Sequence, residues 1–297
     1  MKRDIDFRKF WYNRIMNIFG KKKKVVVPVI QGDGQNVKVR CRSCGRLIDY
    51  DVLEENRKVC PHCGYHFRMS AAERVRLLAD KGSFEEIGEP IQSVDLLNFK
   101  DTVPYKKRLA DLKESAGLPN AIIAGSAAIG GTKCALGVFA FEFLSGTIGT
   151  ATGEKLAELI RFADKNALPL IVVFSSAGER IQEGIFSLMQ IAKVVSAIND
   201  YKKKERSLFI SVLTNPVLGG VASVAMAGDV IIAETGSYVG ISGPRISEHV
   251  MRRSLPKETQ KAENLLKNGF IDIITDRKGL KDTVSRVLKF QNKWGKL

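Results

Sequence analysis

The chain has 297 residues, as a prior one large domain or two smaller ones, and its 44% hydrophobic and 27% charged content is ordinary for a soluble protein with a sizeable core. Its net charge of +15 favours an anionic partner or a solvated basic tail. Apolar runs such as Leu170–Phe174 and Val230–Ala233 are strand-length, far short of a membrane span, and no apolar core of a secretory signal follows the first basic residues, so a cytoplasmic location is expected.

Residues 1–36 read as a basic leader and linker, ending near Pro28 and the turn-rich Gly32-Asp33-Gly34. Residues 1–24 carry nine Lys or Arg against Asp4 and Asp6, so the positive charge is concentrated here. Residues 7–19 have the pattern of a short amphipathic helix. Residues 37–70 form a cysteine-bearing module, and 71–297 the remaining domain. Ser70-Ala71-Ala72-Glu73 spaces a capping box that opens a helix to about Asp80. Ala121–Ala128 and Cys134–Phe143 read as buried strands joined at Gly130-Gly131, a hairpin signal. A glycine loop, Gly146–Gly149, leads into a helix over 152–166, and Pro169 introduces the strand Leu170–Phe174. A Ser/Gly loop at 175–178 precedes a helix over 182–199, then the strand Leu208–Leu213. Gly219-Gly220 opens a small-residue helix to Ala227, Val230–Ala233 is a strand, and helices are expected at 244–253, 259–267 and 279–291. Repeated strand, glycine loop and helix units indicate an α/β layered core. Turns of this kind leave free backbone N–H groups where strands hand over to helices.

Cys41-Arg-Ser-Cys44 and Cys60-Pro-His-Cys63 are two CxxC pairs separated by fifteen residues. Four thiolates from two tight knuckles close a tetrahedral shell around zinc and leave no position for substrate, so the expected role is structural. Gly45 and Gly64 follow the second cysteine of each pair, where the knuckle turn favours glycine. Two disulfides would need an oxidising compartment. Cys134, inside an apolar strand, reads as a small buried residue, and His62 and His66 as surface or supporting residues beside the module. The module also carries Arg40, Arg42, Arg46, Arg57, Lys58 and Arg68. Nucleic-acid binding through the basic N-terminal region is therefore a second reading, whose signature is an affinity that falls steeply with salt.

With three histidines in the whole chain, a Ser-His-Asp or Cys-His arrangement is poorly supported, and neither a P-loop nor HExxH is present. The core offers glycine at turns instead: Gly146, Gly149, Gly178, Gly219, Gly220 and Gly243. Main-chain N–H groups at such corners suit stabilisation of a thioester enolate, although any one of these glycines also reads as a turn or packing residue.

Several segments together carry a resemblance, in order and spacing, from Cys41 to about Asp276. They are CRSCGRLIDYDVLEENRKVCPHCGYHFRMSAAER, FEFLSGTIGTATG at 141–153, FSSAGERIQEG at 174–184, SLMQIAK at 187–193, SVLTNPVLGGVAS at 211–223, GDVIIAE at 228–234 and ISGPR at 241–245. The chain resembles the beta subunit of bacterial acetyl-CoA carboxylase carboxyltransferase. The resemblance implies a crotonase-like fold with an N-terminal zinc ribbon, and an active site completed by a separate alpha subunit in a heterotetramer of two alpha and two beta subunits. It implies that biotin, held in trans on a biotin carboxyl carrier protein and loaded by biotin carboxylase, donates its carboxyl group to acetyl-CoA to give malonyl-CoA. Carried over by position, Gly178, Gly219 and Gly220 would form a main-chain oxyanion hole, with Gly146 and Gly149 at the substrate. Arg180 would support the loop or contact a CoA phosphate, or form a buried ion pair.

The family's Ser-Gly-Gly-Ala-Arg is here Ser176-Ala177-Gly178-Glu179-Arg180, so Ala177 replaces a glycine and Glu179 brings a negative charge beside the proposed hole. Its Met-Gly-Gly-Ser-Met-Gly is here Leu144-Ser145-Gly146-Thr147-Ile148-Gly149, and its Thr-Asp-Pro-Thr-Thr-Gly-Gly is Thr214-Asn215-Pro216-Val217-Leu218-Gly219-Gly220. A positive φ at Ala177 would strain or reshape the backbone. These changes leave a low-activity or scaffold relative of the carboxyltransferase as the alternative.

Overall fold

The computed structural model describes residues 37–204, 207–243, 247–249, 252, 256 and 258–294. The basic leader 1–36, its amphipathic stretch and most of the expected helix over 244–253 lie outside the described residues. The chain divides into two compact units, one ending at Tyr65 and one beginning at His66.

In the first unit, β1 (Lys38–Arg40) pairs antiparallel with β2 (Leu47–Asp49), Val39 opposite Ile48, and α1 (Tyr50–Glu55) follows directly. Val39, Ile48, Leu53 and Val59 are its buried aliphatic side chains. So small a core cannot stabilise a module by burial alone.

The second unit opens with α2 (Ala71–Leu78). Its start is the capping box that the spacing predicts: Ser70 Oγ accepts from the Glu73 N–H, and the Glu73 carboxylate accepts from the Ser70 N–H. After β3 (Glu85–Glu86) and α3 (Tyr105–Ala116), the chain forms the hairpin of β4 (Ile122–Ile129) and β5 (Thr132–Phe139). The two-residue turn needs positive φ at both positions, supplied by Gly130 (57°) and Gly131 (82°), and their N–H groups donate to the Asp80 carboxylate. From β5 onward the sheet is parallel. Helix α4 (Thr150–Lys165) leads to β6 (Leu170–Ser176), α5 (Ile185–Lys202) to β7 (Phe209–Leu218), and α6 (Gly220–Ala225) to β8 (Val230–Glu234). The short β9 (Val239–Gly240) pairs with the end of β7. Helix α7 (Ala262–Lys267) precedes β10 (Ile273–Thr275), and α8 (Leu280–Trp294) follows it. The strand order is β10-β8-β7-β6-β5-β4-β3.

Both faces of the sheet are covered. Leu170, Val172, Phe174, Phe209 and Leu213 point to one side, against Leu156, Leu159 and Ile160 of α4 and Val194 and Ile198 of α5. Ile171, Val173, Ile210, Val212 and Ile232 point to the other, against Val75 and Leu78 of α2 and Leu280, Val284 and Leu288 of α8. Strands buried on both faces read as unbroken apolar runs, as the sequence does here. Each such side chain contributes roughly 1.5–3 kcal/mol on burial. The helix-lined parallel sheet places the turns after β6 and β7 side by side at one end, where ligands of open α/β sheets bind.

Candidate functional site

The four cysteines of the first unit converge. Their sulfurs all lie within 4.8 Å of one another, with Cys41 to Cys63 at 3.7 Å and Cys44 to Cys60 at 3.9 Å. A tetrahedron with metal–sulfur bonds of about 2.3 Å has edges of about 3.8 Å, whereas a disulfide needs about 2.05 Å. The set therefore fits a tetrahedral thiophilic ion and not two disulfides. The two knuckles are copies of one turn: Cys41 N–H donates to the Arg46 carbonyl and Gly45 N–H to the Cys41 carbonyl, while Cys60 N–H donates to Tyr65 and Gly64 N–H to Cys60. The matching glycine φ angles, 72° at Gly45 and 71° at Gly64, are why glycine follows each pair. Burial pushes the Cys41 thiol up to about 12, so metal binding must release its proton. His62 meets Arg46 at 3.3 Å, outside the sulfur cluster, and Cys134 is buried in β5.

In the second unit the two glycine corners meet. A Cβ on Gly219 would lie 2.9 Å from Gly178 Cα, so their backbones touch. Gly178 has φ 111° and Gly219 φ 66°, both closed to ordinary side chains. Ala177 does not adopt the positive φ that would strain it, because the left-handed residue of the loop is Gly178. Free N–H groups were expected at these corners, and each of the three already has an acceptor. Gly219 N–H donates to the Gly240 carbonyl at 3.1 Å, which is the pairing of β9 with β7. Gly178 N–H donates to Ser176 Oγ at 3.1 Å, and Gly220 N–H to Glu179 Oε1 at 2.8 Å. Only the last two acceptors belong to side chains and can rotate away.

The loop bearing Gly178 is tied to the segment 144–149. Ile148 N–H donates to the Gly178 carbonyl, Arg180 N–H to the Ile148 carbonyl, and Ala177 N–H to the Ser145 carbonyl. Gly146 and Gly149 contribute space to this junction. A Cβ on Gly146 would stand 2.0 Å from the Ser175 carbonyl, and one on Gly149 would stand 2.5 Å from Glu183 Oε1. Leu144 (φ 46°) and Ser145 (φ 56°) hold left-handed conformations without being glycine, which stores local strain.

Arg180 is fully buried. Its guanidinium donates to Glu183 at 3.0 Å, Ser93 Oγ at 2.9 Å, and the Thr147 hydroxyl and carbonyl at 3.2 and 2.7 Å. Of the roles open to it, the geometry is that of the ion pair and loop support, with no face left for a phosphate. Glu183, also fully buried, accepts in addition from the Tyr105 hydroxyl at 2.8 Å and from the Thr150 N–H, the first residue of α4, at 2.6 Å. Burial pushes the Tyr105 phenol up against the opposing pull of Arg180, so Tyr105 stays a neutral donor to Glu183. The i,i+3 spacing of Arg180 and Glu183 was a readable signal for this pair, but nothing local marks Tyr105.

A second buried charge cluster escaped the sequence reading. Glu234, at the end of β8, receives two hydrogen bonds from Arg74 (2.6 and 3.0 Å) and two from Arg277 (both 3.1 Å), and His66 Nδ1 lies 3.4 Å away. Burial alone would raise its carboxyl, but the Arg74 charge, with His66 and Arg277, outweighs burial and holds it well below the ordinary range. The cluster joins α2, β8 and the turn before α8, so it is structural.

The family model described as a carboxyl transferase domain matches residues 68–292, which include the covered sheet and both glycine corners. The chain belongs to the acetyl-coenzyme A carboxylase carboxyl transferase beta-subunit family. It is 41% identical over 277 residues to the protein of that name from Protochlamydia amoebophila (strain UWE25), covering 93% of this chain and 90% of the relative. It is 40% identical over 254 residues to the chloroplastic beta subunit of Marchantia polymorpha, covering 85% of this chain and 80% of the relative. Among solved structures, a transcarboxylase 12S with methylmalonyl-coenzyme A bound superposes with a TM-score of 0.62 at 22% identity, over 74% of this chain and 41% of that one. A Pseudomonas malonate decarboxylase hetero-tetramer in complex with malonate gives 0.61 at 20%, over 74% and 82%. These structures share the fold. Among the described residues no helix is long and apolar enough to cross a membrane.

Proposed function

We propose that this chain is the acyl-CoA half of a biotin-dependent carboxyltransferase, converting acetyl-CoA to malonyl-CoA with a separate alpha subunit. The observation that carries this is the contact of the Gly178 and Gly219–Gly220 corners, with two N–H groups satisfied by side-chain oxygens alone. Gly220 and Gly178 are the candidate donors to the thioester oxygen, and Gly219, committed to β9, shapes the corner. Arg180, Glu183, Gly146 and Gly149 hold the loop in place. Carboxybiotin, brought on its carrier protein and regenerated by biotin carboxylase, supplies the carboxyl group and the base. The chain then needs only to orient the thioester and stabilise its developing oxyanion, a task that calls for no histidine base.

The partner surface has a candidate beside the site. Ile181, Ile185, Leu188 and Met189 lie on the turn after Arg180 and the first turns of α5, each more than half exposed. Such a row beside a half-built site suits a permanent subunit partner, in an assembly of two alpha and two beta chains. Zinc is the proposed ion at Cys41, Cys44, Cys60 and Cys63. A reduced thiolate set of this kind fits a reducing compartment such as the cytoplasm.

The test is reconstitution. The purified chain alone should be nearly inactive, and mixed with its alpha subunit and carboxybiotin it should form malonyl-CoA from acetyl-CoA. Absence of malonyl-CoA from the full mixture rejects the assignment.

A further inference from the structure

Glu179 occupies the Gly220 N–H, one of the two proposed donors to the acyl oxygen. Its Oε1 accepts the Gly220 N–H at 2.8 Å, and its Oε2 lies 2.4 Å from where a Cβ on Gly219 would be. The carboxylate thus lies flat over the Gly219–Gly220 peptide, at the corner that touches Gly178. Among the described residues no lysine or arginine pairs with it, and the adjacent Arg180 guanidinium is turned inward onto Glu183. The side chain is half-buried and tethered by one hydrogen bond.

We propose that Glu179 is an internal anionic plug of the acyl-oxygen position, occupying the Gly220 N–H at rest and displaced when the acyl-CoA thioester docks. The proposal rests on the acyl-CoA reading above. Two reasons support a gate over a fixed cap. The fully buried carboxylates of this unit, Glu183 and Glu234, are each held by several donors including an arginine, whereas Glu179 has one donor and no cationic partner among the described residues. An enolate oxygen and a carboxylate cannot share one N–H, because like charges at contact exclude each other. Thioester binding therefore includes the loss of one charge-assisted hydrogen bond, and the affinity of the site is set by Glu179.

The experiment measures acetyl-CoA and free CoA binding calorimetrically to the reconstituted complex of wild type, Glu179→Gln and Glu179→Ala, with turnover and melting recorded in parallel. The plug predicts that Glu179→Ala binds acetyl-CoA about tenfold more tightly or better, with Glu179→Gln between it and wild type. Free CoA, which has no acyl oxygen, should bind all three alike. The near-isosteric Glu179→Gln keeps the test readable if the alanine variant melts early. Acetyl-CoA affinity equal to or weaker than wild type in both variants overturns the plug while leaving wild-type transfer, and so the functional reading, intact. Failure of every complex to bind acetyl-CoA overturns the acyl-CoA reading and the plug with it.

Discussion

At the residue scale, Glu183 resembles the orienting carboxylate of a catalytic triad: it fixes the geometry of other groups without touching the reacting atoms. Three donors from three segments converge on it: Tyr105 from α3, Arg180 from the loop after β6, and Thr150 from the start of α4. Because Arg180 and Glu183 are both fully buried, removing one leaves the other as an uncompensated charge, at a cost of about 3–5 kcal/mol. Glu183→Gln should lower the urea midpoint and reduce kcat with little change in KM, since the loop is misplaced but the acyl-CoA contacts survive. Tyr105→Phe removes one neutral hydroxyl, which donates to Glu183 and accepts from Arg180, and should cost about 1–2 kcal/mol with a smaller fall in kcat. Equal and minor effects of the two substitutions on both readouts would show that the network does not position the loop.

At the scale of elements, the pairs of cysteines dominate the first unit. With few buried aliphatic side chains, residues 37–65 have little besides metal coordination to hold β1, β2 and α1 together. Elemental analysis should find zinc at one ion per chain. Its removal with a chelator should abolish hydrogen-exchange protection in β1 and β2 while β5 to β8 keep theirs, and retained protection in β1 would refute a metal-dependent module. The sequence was most legible where elements are long and doubly buried. The hairpin turn, the capping box, α4, α5 and the cores of β6 to β8 all fall where their patterns place them. It was least legible where polar residues continue a strand. Strand β6 extends through Ser175 and Ser176, and β7 through Thr214 and Pro216 to Leu218, because Thr214 Oγ1 is satisfied by the Phe174 carbonyl. Apolar periodicity carries no record of such compensation. The glycines of the candidate site were visible individually, but their contact, and the acceptors already on their N–H groups, are products of strand order.

On the scale of the whole molecule, charge separates function from architecture. The +15 balance is concentrated toward the N-terminus, whereas the interior of the second unit depends on a few paired groups. Glu234 is the largest of these pairings, with Arg74, Arg277 and His66 around one carboxylate. Its folded-state pKa is depressed, so its stabilisation is complete above the unfolded glutamate value of about 4.3 and is lost as pH falls through the lower folded value. Wild type should therefore lose part of its unfolding free energy only below that range. Glu234→Gln should be destabilised by about 3–5 kcal/mol at neutral pH and should show a flatter acid limb. Parallel acid limbs for the two proteins would exclude this origin of the acid sensitivity.

The three main-chain hydrogen bonds joining 145–148 to 177–180 have a consequence for how this protein can change. They weld the entry to α4 and the turn after β6 into one rigid clamp, so neither can shift without dragging the other. Ser145 and Glu179, remote in the chain and both departures from the pattern the sequence resembles, thus belong to one stiff piece, and a change at either position is felt by the other.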